Sequence, residues 1–97
     1  MKNKKYNKNK TFLENVESES SRARSIKKKP INSVHEGYAL ILEEVDELWE
    51  QVRMKSDKRD YENMYIELVQ IAGLSKRLVE DIVVPKIKEK NDSKTNR

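Results

Sequence analysis

The 97-residue sequence contains no cysteine, two glycines, two prolines and six aromatic residues. Without cysteine the chain has no disulfide and no thiolate ligand for a metal, which is typical of an intracellular protein. No apolar run approaches the length of a membrane span, and the basic start MKNKKYNKNK lacks the apolar segment of a secretory signal. We therefore expect a cytoplasmic protein that does not enter a membrane.

The charge is divided unevenly along the chain. Residues 1–32 carry ten Lys or Arg against three Glu, and residues 85–97 carry five against two, whereas residues 33–84 carry six against twelve Asp or Glu. A basic flank can bind nucleic acid non-specifically, but a recognition helix is basic on its exposed face and the centre here is acidic. We therefore do not expect a nucleic-acid partner. We predict basic tails over residues 1–10 and 85–97, the first of them disordered.

Hydrophobic periodicity predicts helices and no strands. Residues 11–26 show a weak helical pattern that ends near Pro30. Ser33, with a glutamate three residues later, forms the capping-box pattern that opens the clearest helix of the chain. The sequence has no repeat, glycine-rich loop or strand alternation. We predict an all-α fold, a helical hairpin with a leading helix.

The two helices of the hairpin are joined by the polar turn MKSDKRD, in which Ser56 or Asp57 is the expected N-cap of the following helix. That helix is expected to end or bend at Pro85. One helical domain over residues 11–84 follows. With 35% hydrophobic and 39% charged residues, this domain has little material for a core of its own, so we expect a homo-oligomer.

The acidic stretch ILEEVDELWE, residues 41–50, contains carboxylates on different sides of its helix. The apolar stripe of this helix is centred on three large side chains, Tyr38, Val45 and Trp49. We expect the aromatic members of the stripe to lie in the core or in a dimer interface. Glu44 and Glu47 lie on one flank, which also carries Leu40. A wholly solvated flank has little use for a leucine, so this side is expected to meet another helix pair or a ligand.

A second polar pair, Glu67 and Gln70, lies on the next helix beside Leu74 and Leu78. Residues three apart share a helix face, so two such pairs on antiparallel helices can converge on one point. Carboxylate and amide oxygens are ligands that suit a hard divalent cation such as Mg²⁺. From the spacing alone, ordinary surface carboxylates that form pairs within their own helix are the commoner explanation.

Two motifs carry a family resemblance. EEVDE at residues 43–47 and ELVQ at residues 67–70 resemble the EExxE and ExxD motifs of the MazG-like all-α nucleoside triphosphate pyrophosphohydrolases. The longer string NSVHEGYALILEEVDELWEQV looks like the small phage-type members of this group, and the resemblance covers roughly residues 10–84. It implies a four-helix-bundle core completed by dimerisation, sometimes as a dimer of dimers. It also implies hydrolysis of a (d)NTP between its α- and β-phosphates, which releases (d)NMP and pyrophosphate.

The resemblance further implies roles for single residues. Glu44, Glu47 and Glu67 would bind Mg²⁺ or Mn²⁺, and Gln70 would take the remaining ligand place. Glu43 would support this site or a second metal, and Glu43 and Glu44 are the expected catalytic residues. Such a cation neutralises phosphate charge and activates water. Gln70 replaces a carboxylate of the general family, which should weaken Mg²⁺ binding. The alternative is a catalytically inactive relative that only dimerises.

Three further side chains are candidates for contact with the substrate phosphates: His35, Lys76 and Arg77. Arg77 lies seven residues after Gln70, so it shares that face of the helix and could reach a triphosphate. Lys76 is its neighbour. The common alternatives are a solvated position at the helix edge for the two basic residues and local packing at the helix start for His35.

Overall fold

The computed structural model describes residues 6–95. Its helices are α1 Phe12–Lys27, α2 Val34–Val52, α3 Tyr61–Leu78 and α4 Val84–Thr95, with a short 3₁₀ helix at Ser56–Lys58 and a π-helical turn at Val79–Val83. No strand is present among the described residues. The prediction of an all-α chain with a leading helix and a hairpin is therefore confirmed.

Helices α1, α2 and α3, which form the bundle, each start with a side-chain N-cap. Thr11 and Glu14 form a reciprocal capping box at α1, and the Ser33 hydroxyl accepts from the Glu36 N–H at 3.0 Å, as its sequence pattern predicts. The prediction for α3 is wrong, because Asp60 is the residue that accepts from the helix, through the Asn63 N–H at 3.0 Å. Each such cap contributes about 1 kcal/mol of stability.

Helices α1, α2 and α3 pack side by side, and α3 contacts both α1 and α2. α1 runs parallel to α3, since Asn15 donates to the Tyr65 hydroxyl near the start of α3 and Arg24 binds Asp81 just beyond its end. α2 runs antiparallel to α3. Near the start of α2, Gly37 lies so close to Leu78 that an added Cβ would be only 2.6 Å from the leucine Cδ1.

The apolar stripe of α2 does not form the core of this chain. Tyr38 is 64% exposed and Trp49 is 56% exposed. The buried hydrophobic residues among those described are few, and all of them are aliphatic: Val16, Ala23, Ile31, Val69 and Leu74. α1 packs instead on the opposite flank of the hairpin, beside Leu40 and Leu74. The Leu40 flank is expected from the sequence to meet a second helix pair or a ligand, but the helix that lies beside it is the chain's own α1, and the stripe remains uncovered.

Part of the predicted basic N-terminal tail is folded. The ring of Tyr6 packs on the ring of Tyr65 with centroids 4.5 Å apart, and the Asn7 N–H donates to the side-chain oxygen Oδ1 of Asn15 at 2.9 Å. Residues 6–10 thus differ from a disordered tail, because an aromatic contact and an asparagine hydrogen bond fix them against α1 and α3. Residues 1–5 lie outside the described part of the chain.

Helical structure continues through the predicted C-terminal tail. The helix does not end at Pro85; it changes to π geometry over Val79–Val83, where the Val84 N–H donates to the carbonyl of Val79, and then continues as α4. A proline has no N–H and its ring clashes with the carbonyl four residues earlier, so a wider turn before Pro85 relieves the conflict. The side chains described in α4 are exposed.

An ionic contact ties α1, the loop after it and the π turn together. The Arg24 guanidinium donates to Asp81 at 2.9 Å and to Glu80 at 2.8 Å, and the second Asp81 oxygen accepts from the Ile31 N–H at 2.9 Å. Burial alone would raise the pKa of Asp81, but the hydrogen bonds from Arg24 and from Ile31 outweigh it and hold the pKa below its ordinary value of 3.8.

We expect Asp81→Ala to lower the free energy of unfolding at neutral pH by about 1–3 kcal/mol, because it removes the acceptor of two structural hydrogen bonds. The folded-state pKa of Asp81 is lowered, so its contribution is fully present above the unfolded pKa and is lost as the pH falls through the folded value. The difference between variant and parent should therefore shrink below about pH 4. Urea unfolding at a series of pH values measures this difference in the free energy of unfolding. The exposed Asp46→Ala is the control, and an equal loss in both variants would contradict the assignment.

We expect the two glycines to respond differently to alanine. A Cβ at Gly73 would lie 3.6 Å from the Glu19 side chain, an ordinary contact, so Gly73→Ala should gain about 1 kcal/mol from helix propensity. A Cβ at Gly37 would displace Leu78, so Gly37→Ala should show no such gain. Thermal and urea unfolding compare the two, and an equal gain at both positions would disprove the close contact at Gly37.

Candidate metal and substrate site

Three carboxylates from two helices converge between α2 and α3. One oxygen each of Glu44, Glu47 and Glu67 lies within 4.8 Å of the other two, and we call this group the acidic cluster. Glu44 and Glu47 are three residues apart on α2, which puts both on the same side of the helix. Glu67 approaches from antiparallel α3 and is only 3% exposed. The three metal-ligand candidates named from sequence are therefore neighbours in space.

The acidic cluster has the chemistry of a hard-cation site. All three groups offer carboxylate oxygens, and ligands on opposite sides of a Mg²⁺ ion lie about 4 Å apart when each is about 2.1 Å from it. Small side-chain adjustments would bring oxygens within 4.8 Å of one another to such distances. The residues present thus fit a divalent cation with oxygen ligands and leave places for water or phosphate.

Gln70 lies one turn after Glu67 on α3 and is buried. It lines the same cavity as Glu44, which is a member of the acidic cluster. An amide oxygen can serve as a neutral ligand or as a partner of a bound water. The fourth member of the sequence-derived ligand set therefore shares a cavity with Glu44 and lies one helical turn from Glu67.

A cleft of about 220 Å³ lies between α1, α2 and α3, and we call it the central cleft. Its polar lining includes Glu19 and Ser20 from α1, Glu43 and Glu44 from α2, and Gln70 and Arg77 from α3, and its apolar lining includes Ala23, Leu40 and Leu74. Of the acidic cluster, Glu44 lines the cleft, which continues along α3 from Gln70 to Arg77. It is open to solvent on one side, where exposed Glu43 lies at its mouth.

Arg77 is the buried cation of the central cleft. The residue is 4% exposed, and its Nε makes no hydrogen bond to any residue of the described chain. An arginine is always charged in a protein, and a buried polar group without a partner costs about 1–3 kcal/mol. Of the three candidates for phosphate contact, Arg77 is the one that lines this cleft.

The other two candidates lie elsewhere. His35 is exposed in the first turn of α2 and does not line the central cleft. Lys76 points to the outer side of α3, where it binds Glu80 at 2.6 Å and Glu17 at 3.4 Å. The hydrogen bond that Lys76 donates to Glu80 raises the pKa of Lys76. Asp46 and Glu50, two further acids of the stretch ILEEVDELWE, are exposed, and Glu50 is 3.7 Å from Arg53.

The side chains that α1 contributes to the central cleft were not predicted from the sequence. Glu19 and Ser20 are buried and line the central cleft, and Arg22 at its rim binds Glu19 at 2.7 Å. The hydrogen bond to Glu19 raises the pKa of Arg22. The sequence does contain a signal for this contribution. Val16 and Ala23 are two apolar residues seven positions apart that mark the inner face of α1, and Glu19 and Ser20 lie on the same face.

Comparison of the chain with protein-family models, with curated proteins and with solved structures finds no match in any of the three. A search of the described helices finds none with both the length and the apolar character needed to cross a bilayer.

Proposed function

We propose that this chain is a metal-dependent nucleoside triphosphate pyrophosphohydrolase that converts a (d)NTP and water to a (d)NMP and pyrophosphate. The observation that carries the proposal is the acidic cluster at one end of a cleft whose interior holds a buried arginine. Cation ligands and a cation side by side in one cleft suit a substrate that carries several negative charges, and the resemblance to the MazG-like EExxE and ExxD motifs supports the same chemistry.

In this proposal Glu44, Glu47 and Glu67 hold Mg²⁺, for which Mn²⁺ can substitute, and Gln70 completes the ligand set. When bound, the ion would neutralise phosphate charge and lower the pKa of a water molecule. Glu43 lies at the mouth of the cleft, where its carboxylate can accept a proton or support a second ion. The neutral Gln70 lowers the negative charge of the site by one and should weaken the affinity for Mg²⁺.

The chain's own polar groups would bind and orient the substrate. The Ser20 hydroxyl and the Gln70 amide are buried donors beside Glu44, and both can hydrogen bond to phosphate oxygens. Leu40 and Leu74 line the cleft between the acidic cluster and Arg77, and they limit the water that reaches the phosphates. Limited solvent strengthens each electrostatic contact to the substrate.

We further propose that the chain works as a homodimer in which two hairpins form a four-helix bundle. One face of the hairpin, on the side away from α1, exposes a row of large apolar residues: Val34, Tyr38, Leu42, Val45 and Trp49 on α2, and Tyr61, Leu68 and Val79 along α3. A soluble monomer rarely exposes so continuous an apolar surface. A second copy of the chain carries the same apolar face, and two such faces can pack against each other around a two-fold axis.

This apolar face also favours the second candidate function. A chain that dimerises through it and has lost catalysis would be an interaction protein, and Gln70 in a carboxylate position is the feature on which that reading rests. The two candidates differ in one measurement, the release of pyrophosphate from nucleoside triphosphates in the presence of Mg²⁺.

We expect Glu44→Gln and Glu67→Gln to lower kcat/KM for this release by on the order of 100-fold, because each removes a charged ligand of the cation. Both variants should remain folded, and the metal-free protein should be as stable as the parent or more so, since fewer carboxylates repel each other. Mg²⁺ titration by calorimetry should show weaker binding in both.

Asp46→Asn is the matched control, because Asp46 lies on the same helix and is exposed. It should keep the activity and the Mg²⁺ affinity of the parent. Equal sensitivity at Asp46 and at Glu44 would mean that no specific ligand set exists. No pyrophosphate release from any nucleoside triphosphate, with an intact dimer, would favour the interaction protein.

We expect sedimentation to give twice the chain mass of 11.5 kDa at micromolar concentration. Trp49→Glu should convert the dimer to monomer, because it puts a charge in the centre of the proposed interface. Leu13→Glu is the control, since Leu13 is 76% exposed on α1 and lies outside the apolar face. A folded monomeric parent, or dissociation by both substitutions, would refute this interface.

A further inference from the structure

We propose that Arg77 binds the terminal phosphates of the substrate, so that the central cleft holds the polyphosphate chain and the nucleoside lies outside it. The inference rests on the proposed function and adds the orientation of the substrate and its class. The enzyme would select triphosphates over diphosphates through Arg77, and it would discriminate little among bases.

The first argument is the charge of the buried guanidinium. Arg77 is 4% exposed, and its Nε has no hydrogen-bond partner among residues 6–95. Asp81 is near enough to act on it electrostatically, but both Asp81 oxygens already accept from Arg24 and from the Ile31 N–H. A buried cation is stabilised far more by an anion than by a neutral group. Phosphate oxygens match the donor fork of arginine.

The second argument is position along α3. Gln70 and Arg77 are two helical turns apart on one face, about 10 Å along the axis. Both side chains line the central cleft. A substrate held at the acidic cluster by its α-phosphate would therefore have its β- and γ-phosphates directed at Arg77.

The third argument is the distribution of basic residues around the cleft. Arg77 also lines a neighbouring depression of about 210 Å³. Lys27 lines both cavities, and Lys29 lines the second. The acidic cluster lies at the other end of the cleft. Positive charge thus accumulates where the leaving pyrophosphate would lie, and a neutral nucleobase would gain nothing from it.

The direct test is binding of inorganic pyrophosphate, measured by calorimetry with and without Mg²⁺. The parent should bind it, Arg77→Met should weaken binding at least tenfold, and Arg77→Lys should give an intermediate loss because it keeps the charge without the fork. Arg53→Met is the control, since Arg53 is exposed and follows the C-terminal end of α2, at the opposite end of the hairpin from Arg77. Circular dichroism checks the fold of each variant, and Arg77→Lys carries the test if Arg77→Met does not fold.

A second readout is substrate class. In the parent, kcat/KM for a nucleoside triphosphate should exceed that for the matching diphosphate, and Arg77→Met should remove most of this preference through KM. Pyrophosphate binding that depends on Arg77 without any hydrolysis would uphold the anion site and end the proposed function. If the parent hydrolyses the triphosphate and Arg77→Met keeps both the pyrophosphate affinity and the preference for triphosphate over diphosphate, the role of Arg77 is overturned and the proposed function stands. A parent that discriminates strongly among bases, with this discrimination lost and the preference for triphosphates kept in Arg77→Met, would also overturn this role.

Discussion

Charge buried between helices is the constraint on which the rest of this chain depends. α1 packs on the flank of the hairpin that carries Glu44, Glu67, Gln70 and Arg77, so ionisable groups fill a space that aliphatic side chains occupy in most small bundles. Removing a charge from water costs several kcal/mol unless nearby groups compensate it. A bound cation and a bound anion would offset this cost at the two ends of the cleft, which links the stability of the bundle to the chemistry proposed for it.

The polar interior explains why large apolar side chains lie outside. With five aliphatic side chains buried among residues 6–95, the chain has limited means to fix its helices by packing. The helix caps and the contact of Arg24 with Asp81 fix the ends of the bundle instead. The remaining apolar material is concentrated on the opposite face of the hairpin, where a second copy can bury it. Catalysis and assembly would then use opposite sides of the same two helices.

Much of this organisation could be predicted from local rules. Helices α1, α2 and α3 follow from hydrophobic periodicity, and the start of α2 follows from the cap at Ser33, whereas α4 lies in the segment predicted as a tail. Convergence of Glu44, Glu47 and Glu67 follows from residue spacing once two helices form an antiparallel hairpin. The cap of α3 could not be predicted, because Ser56, Asp57 and Asp60 all offer suitable oxygens and only the path of the turn selects among them.

The sequence by itself determined the helices and the pairing of acids across the hairpin, since both depend on residues close along the chain or on one helix repeat. Tertiary structure alone decided which face of the hairpin α1 covers. Both faces carry apolar residues, and the pattern of α1 is too weak to show its preference. That choice buries Arg77 and Ser20 and leaves Trp49 exposed. It depends on the summed contacts of three helices, which no single segment encodes.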